Sequence, residues 1–188
     1  TEYGSSMRPE QPARVSRSAA HLSSAHPNWT WKVPVVVADD ILLLAHTSAH
    51  LQRLLRPADF DEDTPFFPGI GDHARRAVGA ACSAADAAMT GAKSFSLMRP
   101  PGHHATADQA MGFCYLNQIA IAALQAQRHG ASRVAIWDFD AHHGNGTEAI
   151  LHDRPGQLFA SVHQSPGYPG TGTASFDNCR NWPVAPNT

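Results

Sequence analysis

The sequence predicts an α/β domain organised around a central parallel sheet. Two observations carry that reading. Short apolar runs alternate with segments of helical period, as when strands are joined by crossover helices. Polar clusters also follow directly on two of the runs, RPPGHHA (99–105) after SFSLM and DFDAHHGNG (138–146) after RVAIW. In open α/β sheets, ligands collect at the carboxyl ends of strands. A chain of 188 residues suits one domain with a sizeable core, so residues 1–188 are read as a single domain.

Residues 1–34 are rich in Ser, Pro and Arg with little periodic signal, and read as an irregular start. In VVVADDILLLAH, Asp39 is placed to N-cap a short helix over Ile41 to Ala45. SAHLQRLLR is a second helical piece that stops before Pro57, and residues 57–71 form a loop by their Pro and Gly content. From Asp72, the positions Ala74, Ala77/Val78, Ala81/Cys82, Ala85 and Ala88/Met89 share one stripe. That predicts a helix closed by Gly91, with small side chains suited to close packing. SFSLM (94–98) reads as a strand ending at a Pro-Pro-Gly turn, and residues 113–130 as a helix closed by Gly130. RVAIWDFD (133–140) is a strand, TEAILH a short helix and QLFASVHQ (157–164) a further strand.

Composition narrows the function. Charged residues make up 16%, and the net charge is −2 with histidine neutral, so neither nucleic acid nor an anionic membrane surface is expected as a partner. No run of about 18 apolar residues is present to span a membrane. The start lacks the apolar stretch of a signal peptide and has no initiating Met. Three separated cysteines, with no CxxC pair, read as reduced thiols of an intracellular, cytoplasmic protein. Histidine is abundant: 12, against 14 for Lys and Arg together.

Carboxylates at the end of a buried strand need a partner or a metal. Asp138, Asp140 and His142 share parity and in extended backbone project to one side. Asp140 and His142 offer one oxygen and one nitrogen donor, which suits zinc or another divalent ion. Asp138, a step further into the strand, is placed to orient a histidine by accepting its N–H. His103 and His104 are adjacent, so they do not easily bind one ion from one face; a general acid and base pair is the better reading. His21, His26, His46, His50 and His129 read as surface or local contacts, and the glycines of GNGT as turn formers.

RPPGHHA, GFCYLN, DFDAHHGNGT and SVHQSPGYPGTG, in that order, resemble the successive signatures of the histone deacetylase and acetylpolyamine amidohydrolase family, closest to its class II and bacterial branch. The resemblance runs from about residue 59 to the end, with an echo in RPEQPARV. It implies the arginase/deacetylase-like α/β sandwich with a central parallel sheet, and zinc-dependent hydrolysis of an acetyl-amide, acetyl-lysine or an acetylated polyamine, to acetate and free amine. It makes Asp140 and His142 two of three zinc ligands, His104 the general base and His103 its electrostatic or acid partner. Asp138 becomes the support of the first histidine and, with Ser161 and main-chain oxygens near 140 and 142, part of a structural potassium site. Asn145 stands behind the second histidine. Phe113 and Tyr168 become walls of the channel for the acyl-lysine stem, Gly112 lines it with its carbonyl, and Asp63 is the rim residue that grips the substrate backbone.

The family's third zinc ligand, an aspartate, and its oxyanion tyrosine lie downstream of every motif matched here. Asp153 and Asp177, the aspartates that follow the DxH motif, are not in that ligand's context. The chain is therefore expected to be the front portion of a deacetylase domain, truncated relative to the family. Its final strand, 157–163, would lack a neighbour, and the isolated chain would be inactive and self-associated or partly unfolded. A non-catalytic fragment or scaffold is the alternative. An arginase-like two-manganese site ranks below both, since DFDAHHGN has Asn145 and no DxHxD run.

Overall fold

The structure, a computed structural model, describes residues 3–4 and 8–187. Among them the elements run α1 (Ala13–Ala25), α2 (Asp39–Leu42), α3 (Ser48–Arg53), α4 (Ile70–Met89), α5 (Gln118–Arg128), β1 (Val134–Asp138), α6 (Asn145–Leu151), β2 (Gln157–Gln164) and β3 (Cys179–Val184). The strands form one parallel sheet in the order β1-β2-β3. The β1–α6–β2 crossover is the alternation legible in the sequence.

β2 is the central strand. Its alternate residues Gln157, Phe159, Ser161 and His163 are buried, and Phe159 is sealed in the core with Ile136, Ile121 and Leu151. α4 presents its small stripe (Ala74, Ala77, Val78, Ala81, Cys82) to the interior and packs against α5, as the periodicity requires. All three cysteines are buried free thiols. The N-terminal segment is tied down by a buried ion pair between Arg99 and Glu10, with the Arg99 guanidinium 4.2 Å from the Tyr3 ring centre. No helix among the described residues is long and apolar enough to cross a membrane.

Register sets up the site. Asp138 pairs with Ser161, and Ser161 with Asn181, so these three polar side chains occupy one row across the sheet.

The structure corrects several expectations. Residues 13–25, within the stretch read as irregular, form α1. Its inward positions Val15, Ser18, Ala19 and Leu22 carry only two larger apolar side chains, and none of its residues is fully buried. Asp39 does not N-cap α2; Ala38 does, and Asp39 lies in the first turn, paired with Arg75 at 2.6 Å. Residues 94–98 join no ladder, and Phe95 is exposed. The helix expected from 113 begins at Gln118, because residues 111–114 form a tight bridge with Phe113 at φ 66° and Asn117 caps the helix instead. β2 is not left without a neighbour: β3 lies along it, in a stretch whose Asn and Pro hid the strand pattern.

Candidate active site

The second polar cluster starts where regular structure stops. β1 ends at Asp138, whose carboxylate is largely buried and fully engaged: Oδ2 accepts from Nδ1–H of His103 at 2.8 Å, and Oδ1 accepts the Asp140 amide at 3.1 Å. Burial alone would raise its pKa, but the bond from His103 and the Asp140 N–H outweigh it and hold the carboxyl below its ordinary range. Gly144 explains part of the GNG signature. A Cβ there would overlap Asp138 Oδ2, so glycine is required for close approach rather than for turning.

His103 and His104 lie side by side, ring centres 4.0 Å apart, yet reach opposite acceptors. His104 Nδ1–H donates to Asn145 Oδ1 at 2.8 Å, leaving Nε2 as the free lone pair. Burial, then the neighbouring His103, push His104 down to about 4 despite the Asn145 bond, so the ring is neutral near pH 7. Asn145 thus stands behind the second histidine.

Asp140 and His142 lie outside the strand. The shared parity reaches only Asp138; beyond it the chain bends, and Asp140 Oδ1 accepts the His142 amide at 2.9 Å. Their side chains are 48% and 52% exposed, with Asp140 Oδ1 3.4 Å from His142 Nδ1 and 4.0 Å from His103 Nε2. A carboxylate oxygen and an imidazole nitrogen that close can meet at one ion. Among the described residues, the trio of donors able to share an ion is elsewhere: His152, Asp153 and Asp177, all exposed. These lie by the start of β3 and the end of α6, at the amino ends of the strands.

Tyr168 stands edge-on to both histidines, ring centres 5.0 Å from His104 and 6.0 Å from His142. Burial, with smaller contributions from Asp61 and Asp63, raises its pKa to about 12, which keeps the hydroxyl protonated. Gly112 sits between them at φ 57°, its α-carbon close to the His104 and Tyr168 rings. Phe113 follows, its amide donating to Thr64 Oγ1 at 3.0 Å. Asp63 is exposed; its carbonyl accepts from Arg8 and its amide donates to Asp61. Ser161 is buried and bonded to His163 Nδ1 at 2.9 Å. Beside His103, an open cleft of about 440 Å3 is lined by Ile119, Trp137, Phe139 and Asp140.

A family model for the histone deacetylase domain matches residues 8–181. The chain belongs to the histone deacetylase family. It is 41% identical over 194 residues to an uncharacterized protein of Synechocystis sp., an alignment covering 95% of this chain and 64% of the relative. It is 41% identical over 157 residues to the histone deacetylase-like amidohydrolase of Pseudomonas aeruginosa, covering 77% of this chain and 41% of the relative. The crystal structure of the HDA15 HD domain superposes with a TM-score of 0.89 at 36% identity, over 97% of this chain and 58% of that one. The deacetylase fold is thereby shown, and the chain spans about two-thirds or less of each of these relatives.

Sequence reasoning missed the buried support of the site. His46 and His50 are sealed inside, not at the surface. His46 Nε2 accepts the Asn117 amide at 2.9 Å, and His50 Nε2–H donates to the Tyr115 carbonyl at 2.8 Å. Asn117 in turn caps α5 through Ala120 and donates to the Ala105 carbonyl and to Thr147, tying the HHA loop to α5 and α6. His50 lies on α3 beside the buried Leu51, whereas His46 lies in the bend before the helix, where no period marks it as buried.

Burial, followed by His50, lowers His46 to about 4, and protonation would remove the lone pair that holds Asn117. Because the folded pKa lies below the unfolded 6.5, stability is complete above pH 6.5 and is lost as pH falls toward 4, by about 3 kcal/mol at 1.36 kcal/mol per pKa unit. Urea denaturation at pH 7 and pH 4.5 checks this, and His46→Gln, whose amide oxygen still accepts the Asn117 N–H, is expected to flatten the pH dependence.

Proposed function

We propose that this chain carries the catalytic histidines and two metal ligands of a zinc-dependent amidohydrolase acting on an acetylated amine, either acetyl-lysine or an acetylated polyamine. The observation supporting it is a pair of adjacent histidines, each fixed through Nδ1 to its own acceptor, beside a carboxylate and an imidazole close enough to share an ion. Family membership supports the same reading.

Asp140 and His142 would hold the zinc, with a third donor from polypeptide outside this stretch, in keeping with the greater length of the relatives. Bound zinc supplies a Lewis acid for the amide carbonyl and lowers the pKa of water to about 7. His104 Nε2, neutral and unblocked, accepts a proton from the water that attacks the carbonyl carbon. His103, with the Asp138 carboxylate as counter-charge, donates a proton to the departing nitrogen. A C–O bond forms and the C–N bond breaks, giving acetate and amine. General acid–base help of this kind is typically worth ~10²–10⁴ in rate. Tyr168, Phe113 and Gly112 would line the channel for the amine's apolar stem, with Asp63 at the rim. Asp138, Ser161 and nearby carbonyls would hold a structural potassium ion.

The outer edge of β1 is unpaired among the described residues, and Trp137 and Phe139 beside it are 69% and 78% exposed. This surface would pack against the remainder of the domain, or drive self-association without it. The scaffold reading draws on one observation, that no third donor joins Asp140 and His142 among the described residues.

Zinc content by mass spectrometry separates the two readings. In the full-length protein, wild type is expected to hold one zinc and Asp140→Ala to lose it; equal zinc in both removes the ligand assignment. His104→Ala is expected to keep zinc and lower amide hydrolysis by about 10²-fold or more. The acidic limb of kcat/KM is expected near pH 4, where His104 becomes protonated and inactive as a base. Asn145→Asp is expected to move that limb upward, since a carboxylate behind the ring favours its charged form.

A further inference from the structure

The two histidines of the AHHG segment part company. His142 faces outward beside Tyr168, whereas His143 turns into the protein and is almost completely buried. There it meets His163 of β2, also sealed, ring centres 4.7 Å apart. Neither buried ring has a part in the hydrolysis proposed above.

Their bonds converge on one short stretch of the Tyr168 loop. His143 Nδ1 accepts from the Thr171 hydroxyl at 2.8 Å, while its Nε2–H donates to the Glu148 carboxylate at 3.3 Å. His163 Nε2–H donates to the Gly172 carbonyl at 3.0 Å, while its Nδ1 accepts from Ser161. Each nitrogen of both rings thereby has a partner. Glu148 is held in place by the side-chain amide of Asn181 on β3, at 2.6 Å. Both rings are therefore anchored to the Asp138–Ser161–Asn181 row, His163 through Ser161 and His143 through Glu148 and Asn181.

Packing adds to the bonds. Gly172 has φ 74°, and a Cβ there would lie 2.5 Å from His143 Cδ2 and 2.7 Å from His163 Nε2. The loop backbone is thus pressed onto both rings with no room for a side chain. Four residues before Gly172, Tyr168 stands against His104 and His142.

We propose that His143 and His163 are positioning residues that lock Thr171 and Gly172 and so hold Tyr168 at its distance from His104 and His142. Given the reading of Tyr168 as a channel wall, on which this consequence rests, the pair sets the width of the entry for the substrate's apolar stem. The sheet row that orients His103 through Asp138 then also fixes the opposite wall.

In the full-length protein labelled with 3-fluorotyrosine, the 19F signal of Tyr168 is the one that Tyr168→Phe removes, and those of Tyr3 and Tyr115 are assigned in the same way. His163→Leu and Gly172→Ala are expected to shift or broaden that signal and leave those of Tyr3 and Tyr115 in place. His163→Gln, whose amide can still donate to the Gly172 carbonyl, restores it. Thr171→Val removes one hydroxyl and is the variant to use if the others do not fold. KM for an acetyl-lysine amide is expected to rise about tenfold or more with kcat little changed, since small misplacements away from the chemistry cost up to 10²-fold. A Tyr168 signal unmoved in folded His163→Leu, Gly172→Ala or Thr171→Val overturns the proposal. A moved signal with an unchanged KM upholds the anchor and removes the channel-wall reading of Tyr168 instead.

Discussion

The Asp138 carboxylate is the interaction on which the rest of the site depends. It sits at the carboxyl end of β1, largely removed from water, where an unpaired charge would be strongly destabilising. Two donors resolve that cost, the His103 ring and the Asp140 amide, and both are parts of the site. One buried charge therefore orients the first histidine and bends the chain so that Asp140 and His142 leave the strand line together. Glycine at 144 allows the third side of the carboxylate to be closed by backbone.

The neighbouring positions of the same sheet row extend that logic. Ser161 and Asn181, in register with Asp138, connect through His163 and through Glu148 to the loop that carries Tyr168. Burial raises the pKa of Glu148, but the bonds from His143 and Asn181 outweigh it, so the carboxylate stays charged and keeps its partners. On the other side, His46 and Asn117 fasten the His103–His104 loop to α3, α5 and α6. Exposed donors at Asp140 and His142 are thus framed by groups that water scarcely reaches. A scaffold of buried, hydrogen-bonded side chains around a few open ones is what precise placement of reacting groups requires, although His46 Nδ1 and Asn181 Oδ1 have no hydrogen-bond partner among the described residues.

Much of this was legible in the residues. The small stripe from Ala74 to Cys82 located α4, and the apolar runs located β1 and β2, because each has one dominant period. The spacing of His103, His104, Asp138, Asp140 and His142 pointed to two clusters at strand ends, and the structure brings them together. α1 escaped because its inward face is made of Ser, Ala, one Val and one Leu. β3 escaped because its burial is confined to Cys179 and Asn181, while Trp182, Pro183 and Val184 face outward or lie at the edge. The buried roles of His46, His50, His143 and His163 escaped because a histidine in a sequence looks the same whether it faces solvent or a carbonyl. Their partners, Asn117, Tyr115, Thr171 and Gly172, are brought to them only by tertiary packing. The SFSLM run has the composition of a strand, but pairing needs a neighbour, and no strand among the described residues pairs with it.

The central claim, that a buried Asp138 carboxylate sets up His103 for the proposed reaction, is tested most directly by the turnover of an acetyl-lysine amide in full-length Asp138→Asn. The side chain keeps its size and can still fill the space beside Gly144, but it loses the negative charge that meets His103 Nδ1. The expected result is a fall in kcat of about 10²-fold or more with a urea denaturation curve that remains cooperative. A kcat within a few-fold of wild type in the folded variant would contradict the account.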